Sequence, residues 1–328
     1  MASGIATNRD FVLNGADSQT DWHKKTRVLG RPIVREDMPA IVKRELTLDG
    51  KPLEIDGKPW YVLATDDDNL PVAKPFSESF SVFDARAGWD WIQEILGGTG
   101  FKVKRAGMLW NRSTWFYSVE LKELNKLSRA GTVLNLNLAN GLDGSLSRGA
   151  ELSETTVCCA NTLSLSRVYG QRVFQVKNTK NATVRMDSQR EEIEKLCGMA
   201  AVWNAAMADL QKTPCQVQTA REIYAGEIIG KAQEVSTAAR NKVDGLTALF
   251  QRGDGNRGET MADVLNGFTQ YGTRGFESSK KDVFTRIESS EFGGMADAKA
   301  GFVTRLIEPA ARELLRDSGA KSLALATN

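Results

Sequence analysis

The sequence predicts an α+β fold: an antiparallel mid-chain sheet with hairpins, packed by a long central helix and a C-terminal helical region. Three observations lead there. Segments with strand character crowd the middle of the chain, helical periodicity fills the C-terminal part, and the two do not alternate as a doubly wound βαβ fold requires. The expected organisation is an N-terminal arm over 1–50, a mainly strand, basic core over 51–186 and a helical region over 187–328.

Residues 1–50 show little periodicity and hold the single histidine, His23. Trp60–Leu63 and Phe80–Phe83 read as short strands, with the acidic turn Thr65-Asp66-Asp67-Asp68-Asn69 between them. Asp84 can cap a helix running to Leu96, and Gly97-Gly98 can end it. Phe101–Leu109 and Thr114–Leu121 flank Trp110-Asn111-Arg112-Ser113 as a hairpin. From Thr132 to Leu138 the residues alternate, with Leu134, Leu136 and Leu138 on one face and Asn135 and Asn137 on the other. An Asp143-Gly144 turn follows. Thr155–Ala160 is the expected pairing strand, and Arg172–Lys177 is one more.

Ser188-Gln189-Arg190-Glu191 forms a capping box. Behind it Ile193, Leu196, Ala200, Trp203, Met207 and Leu210 recur at helical spacing as far as Pro214. Further helices are expected near 219–233, 236–251, 259–271 and 295–317.

The residue inventory argues against most catalytic templates. One histidine leaves little for Ser-His-Asp or Cys-His chemistry. Cys158, Cys159, Cys197 and Cys215 lack metal-site spacing and read as buried thiols in a reducing compartment. Neither a dinucleotide fingerprint nor a phosphate loop is present, so no cofactor is expected. A carboxylate-only metal nuclease has loose spacing, and Asp143, Glu151 and Glu154 are its nearest candidates. With no apolar run of membrane length and no basic-then-apolar start in MASGIATNRDF, the chain is expected in the cytoplasm, without membrane contact; a host bacterial cell is what the resemblance given below implies.

Charge points to an anionic partner. The net charge is +2, yet residues 51–100 carry 4 Lys/Arg against 9 Asp/Glu, whereas 101–186 carry 13 against 5. The competing explanation is a solvated strand face whose acids lie elsewhere in the fold. Cations neutralise phosphates and aromatic faces stack on bases without reading sequence. The candidate nucleic-acid residues are therefore Lys102, Lys104, Arg105, Trp110, Arg112, Trp115, Arg148, Arg167, Arg172, Lys177 and Lys180. Gly253-Asp254-Gly255-Asn256-Arg257-Gly258 could also gather backbone N–H groups around an anion, with Arg252, Asn256 and Arg257 at hand; the simpler reading is a helix stop and turn.

Several segments resemble the phage/plasmid-like protein family, long catalogued as a domain of unknown function. They are Gly141–Leu146 with Val157–Leu165, Gly255–Thr260 with Leu265–Tyr271, Glu291–Gly294, and more faintly Asp21–Gly30. Leu142 stands where the family often has His. Hairpin strands followed by a long helix also resemble single-strand annealing proteins of the Red-beta and Erf type. That resemblance implies single-stranded DNA binding and strand annealing in recombination, by a homo-oligomeric ring or filament, with a phage exonuclease as candidate partner. The alternative is an antirestriction-like interaction module countering host defence.

Overall fold

The structure is a computed structural model that describes residues 9–15, 27–77, 80–96, 101–120, 132–144, 146–156, 161–169, 174–176, 189–230, 235–274 and 283–325. It is α+β, with antiparallel sheets and hairpins in the first half and helices in the second. His23, Arg172, Lys177, Lys180, Gly97-Gly98 and Ser188 lie outside the described residues.

The N-terminal part is more structured than its sequence suggests. Strand β1 (Phe11–Asn14) enters the main sheet beside residues 102–109, burying Val12 and Leu13, and β2 (Arg27–Val28) pairs parallel to it. Next come β3 (Ile41–Glu45), β4 (Thr47–Leu48), β5 (Lys51–Pro52), β6 (Glu54–Ile55), β7 (Lys58–Thr65) and β8 (Phe76–Ser77); β3, β6, β7 and β8 form a small four-stranded sheet, and β4 and β5 a two-stranded one. Asp-Gly turns close the β4–β5 and β6–β7 hairpins. Asp49-Gly50 has φ of 52° and 77°, and Asp56-Gly57 has 57° and 70°. Tight two-residue hairpins need positive φ at both central positions, and Asp-Gly supplies it cheaply. The strand expected at Phe80–Phe83 lies instead at Phe76–Ser77, paired with Trp60 and Tyr61.

Helix α1 (Ala85–Leu96) starts as expected, with Ala87 N donating to Asp84 Oδ1 at 2.8 Å. The main sheet then runs through β9 (Lys102–Leu109), β10 (Thr114–Glu120), β11 (Thr132–Gly141), β12 (Arg148–Thr156), β13 (Asn161–Ser164) and β14 (Phe174–Val176). Its order is β13-β12-β11-β10-β9-β1-β2, with β14 also on β12. The partner of β11 begins at Arg148 rather than Thr155, because Thr132 pairs with Thr156 and the ladder runs back to Gly149.

Register sorts the side chains between two covered faces. Trp115, Tyr117, Val119, Leu134, Leu136 and Leu138 share one, under α1, and all are at most 1% exposed. Each such side chain contributes about 2–3 kcal/mol by leaving water. A Cβ on Gly88 of α1 would overlap the Trp115 ring, so glycine permits the close approach. The opposite face carries Arg105, Phe116, Ser118, Asn135 and Asn137.

The helical half comprises α2 (Leu165–Val168), α3 (Gln189–Lys212), α4 (Val217–Ile228), α5 (Thr237–Arg252), α6 (Met261–Arg274), α7 (Val283–Ile287), a π-helical turn (Glu288–Phe292), α8 (Gly294–Ile307) and α9 (Pro309–Leu325). Ala200, Trp203, Met207 and Leu210 of α3 are buried, as the periodicity predicts. The helix expected over 295–317 is two helices. Pro309 has no N–H and forces the preceding residue out of helical geometry, and Glu308 sits at φ −91°, ψ 110°. Helices α4 and α9 cross so closely that a Cβ on Gly319 would strike the carbonyl oxygen of Glu222. Among the described residues no helix is long and apolar enough to cross a membrane.

Candidate nucleic-acid interface

The β9–β10 hairpin forms where the sequence places it, but its tip is unusual. Trp110, Asn111 and Arg112 have φ of 51°, 57° and 65°. Left-handed backbone costs roughly 1–2 kcal/mol for a residue with a side chain and is normally visited singly. Carboxylates hold the tip in place: Trp110 N donates to Glu288 Oε1 at 2.9 Å, and Arg112 N to Asp10 Oδ1 at 3.2 Å. The Arg112 guanidinium reaches Asp67 and Asp68 at 2.8 and 3.3 Å. Arg9 donates two hydrogen bonds to the same Asp68. Burial opposes ionisation of Asp68, but hydrogen bonds from Arg9, Thr65 and Leu70 more than offset it and hold the carboxyl well below its usual range. The acidic turn is thus a clamp joining the small sheet, the N-terminal strand and the hairpin tip.

Segment 288–297 covers the second face of the main sheet and engages several predicted residues. Glu291 pairs with Arg105 at 2.7 Å, and both side chains are almost fully buried. Phe292 packs edge-on to Trp110, 6.0 Å between centroids, and against Phe116 at 5.4 Å. Arg167 binds Asp297, Glu151 and the carbonyl of Phe292. Burial opposes the charge of Arg167, and Glu151 and Asp297 outweigh it, so its pKa rises. Beneath this segment Lys299 is 1% exposed, with Nζ 3.0 Å from Ser290 Oγ.

Like Arg105, two more of the predicted residues are buried. Trp115 is 1% exposed and donates through Nε1 to the carbonyl of Phe83; it is no platform for a base. Arg148 is 3% exposed and lies 3.2 Å over the Phe83 ring, because it stands on the α1 side of β12. Lys104 pairs with Glu120. The expectation that Lys102 and Lys104 share a face meets a β-bulge: the register passes from Arg105–Ser118 to Val103–Val119, so Lys104 has no opposite residue. Lys102 and Trp110 are the predicted hairpin residues that remain exposed, Trp110 at 38%.

The glycine loop does gather backbone N–H groups, but the protein supplies the anion. Asp263 accepts from Glu259 N and Thr260 N at 3.0 Å each and from Arg257 N at 3.4 Å. Asn256 donates to the carbonyl of Leu249 at 2.8 Å, closing the end of α5. Arg252 and Arg257 stay on the surface beside a filled nest. The helix stop and turn is the reading that fits.

A cavity of about 620 Å³ lies beside the clamp, lined by Asp10, Arg27, Asp37, Asp66, Arg86 and Arg112 among others. A smaller one of about 170 Å³ sits between Asn137, Glu151, Arg167 and Phe292. Among the described residues no group of three or more His, Cys, Asp or Glu is placed to hold a metal ion. Glu151 is engaged by Arg167 and Ser164, and Glu154 is buried. Cys215 is buried, and burial first, then Asp263, pushes its thiol up to about 12, an inert state.

Residues 74–291 match the family described as Domain of unknown function (DUF932). The chain belongs to this family. No curated protein and no solved structure matches it. The DUF932 span takes in the whole β9–β12 meander, the Asn256 loop and Glu291, so the Arg105–Glu291 pair lies within it. The hairpins of β3–β7 precede the span, and α8 and α9 follow it.

Sequence reasoning missed the surface where cations and a tryptophan stay accessible. Arg44 and Lys58 are exposed and Trp60 is half-buried, all in the small sheet ahead of the DUF932 span. The two Asp-Gly pairs were the available signal.

Proposed function

We propose that this protein binds single-stranded DNA and promotes strand annealing as an oligomer, in phage or plasmid recombination. The observation that carries the reading is the hairpin tip. Three consecutive left-handed residues, pinned by Glu288 and Asp10, hold the Trp110 ring at the surface. Backbone strain persists where the surrounding structure over-determines it, and such sites concentrate at ligand contacts. A half-exposed indole at the end of a hairpin offers a face to an unpaired base. The β9–β12 meander and the 24-residue α3 follow the strand-then-long-helix order of the annealing proteins the sequence resembles. Annealing needs no catalytic residue, only a surface that neutralises phosphates and presents bases.

The test is a labelled oligothymidylate titrated with the purified full chain at low salt, followed by annealing of complementary oligonucleotides. Binding is expected, with Trp110→Ala weakening it by about 1–3 kcal/mol, the range for one stacked base. Absence of binding at low salt overturns the reading.

A further inference from the structure

Strand register in the small sheet separates its charges. Val42 pairs with Ala64 and Arg44 with Val62; Trp60 pairs with Ser77 and Ile55 with Lys58. Directly opposed residues in an antiparallel ladder project to the same side, and alternate residues along a strand do too. Val42, Arg44, Ile55, Lys58, Trp60 and Val62 therefore share one face. Glu45, Glu54, Tyr61 and Phe76 share the other, together with Lys43, whose ammonium lies 3.7 Å over the Tyr61 ring. The acids of β3 and β6, Glu45 and Glu54, both fall on the second face, β7 carries none, and Asp56 lies in the turn beyond.

The first face is open. Val42 is 37% and Ile55 44% exposed, and Arg44 and Lys58 are exposed as well. Neither cation has a carboxylate partner among the described residues. Two unpaired positive charges, a half-buried indole and three aliphatic side chains, with no acid among them, suit a polyanion carrying flat apolar groups. An apolar helix or strand of another protein would satisfy the aliphatics alone and leave both cations facing nothing of opposite sign.

We infer that this face of the small sheet is a docking surface for single-stranded nucleic acid, with Arg44 and Lys58 neutralising phosphates and Trp60 stacking on a base. The inference rests on the proposed function and gives it a second location. The clamp ties this sheet to the hairpin tip: β7 ends at Thr65, and Asp67 and Asp68 just beyond it hold Arg112.

The experiment compares the full wild-type chain with the double variant Arg44→Glu/Lys58→Glu and with Trp60→Leu. All are titrated with labelled oligothymidylate over a salt series, and each is checked for native thermal unfolding. Glu54→Gln, on the opposite face, is the control and is expected to bind as the wild type does. Charge reversal is expected to weaken low-salt binding at least tenfold and to lower the slope of log K against log salt by about 1.4, the share of two phosphates on a single strand. Photo-crosslinking to a halogenated oligonucleotide is expected at Trp60, a readout that stands even if Trp60→Leu folds poorly. If the wild type binds but the charge-reversed chain binds equally well with an unchanged slope, the inference falls and the proposed function stands. A wild type that binds no oligonucleotide removes both. If charge reversal splits a wild-type oligomer in sedimentation while oligonucleotide affinity is unchanged, the face is an interface between copies and the inference is overturned.

Discussion

Lys299 shows how much polar chemistry the second face of the main sheet has buried. Burial pulls its pKa down to about 8, against the partial support of Glu291 and with Arg105 and Arg167 adding repulsion. A lysine in the unfolded chain titrates near about 10.4. Between those values the unfolded chain binds more protons than the folded one, so the contribution of this residue to stability rises with pH. It is fully present above about 10.4 and lost as the pH falls to about 8. Buried tyrosines and Cys215, whose pKa values are raised, push the other way at alkaline pH. The residue is therefore read as a difference. Urea midpoints of wild type and Lys299→Met should converge or cross as the pH goes from about 7 to about 10, with the variant relatively more stable at the lower pH. A difference that does not change over that interval would place the titration of Lys299 elsewhere. Charges of this kind were the least legible part of the sequence. Arg105 reads from its neighbours as a strand cation near a tryptophan. Its partner, Glu291, is 186 residues away, and no local pattern links the two.

Elements were more legible wherever a local rule sets them. The cap at Asp84, the β9–β10 hairpin, the leucine face of β11 and the buried stripe of α3 all follow from spacing and turn chemistry within a few residues. The misses have equally local causes. Asp49-Gly50 is a hairpin signal at the end of a stretch that reads as an arm, Asp56-Gly57 is a second just beyond it, and Pro309 divides a helix whose apolar period continues across it. The bulge at Lys104 carries no turn residue, so Val103 and Arg105 reach opposite faces without warning. The hairpin tip offers the element-scale test. Asn111 holds φ of 57° between two other left-handed residues. Glycine adopts that conformation without the clash of a side chain with its own backbone. Asn111→Gly should therefore raise stability by about 0.5–1 kcal/mol, partly offset by a freer unfolded chain, and leave oligonucleotide binding intact because Trp110 keeps its place. A destabilised variant would show that the Asn111 side chain, and not only its backbone, supports the turn.

At the scale of the whole fold, and among the described residues, much of the charge asymmetry of the sequence is matched in space. The acidic stretch 51–100 supplies Asp67 and Asp68 to Arg112 from the basic stretch, Asp66 to Arg86 and Asp90 to Arg35. The C-terminal half supplies Glu291 to Arg105 and Asp297 to Arg167. Among the described residues, Lys104, Arg105, Arg112 and Arg167 of the +8 segment are each paired with a carboxylate, which bears directly on how the protein should meet a polyanion. The counterions released on binding report the number of cations that change partners, and a cation already paired in cis releases none unless its own carboxylate is displaced. With Arg105, Arg112 and Arg167 held as they are, and Arg44 and Lys58 carrying the phosphate contacts, log K should fall against log salt with a shallow slope, about −1.4 per subunit for a single strand. A slope near −4, as about six phosphate contacts would give, is expected where the paired cations are released. The same titration followed by hydrogen exchange locates that change: a steep slope should come with lost protection over residues 283–297, the segment that supplies Glu288, Glu291 and Asp297. A shallow slope with that segment still protected leaves the main sheet covered and the small sheet as the binding surface.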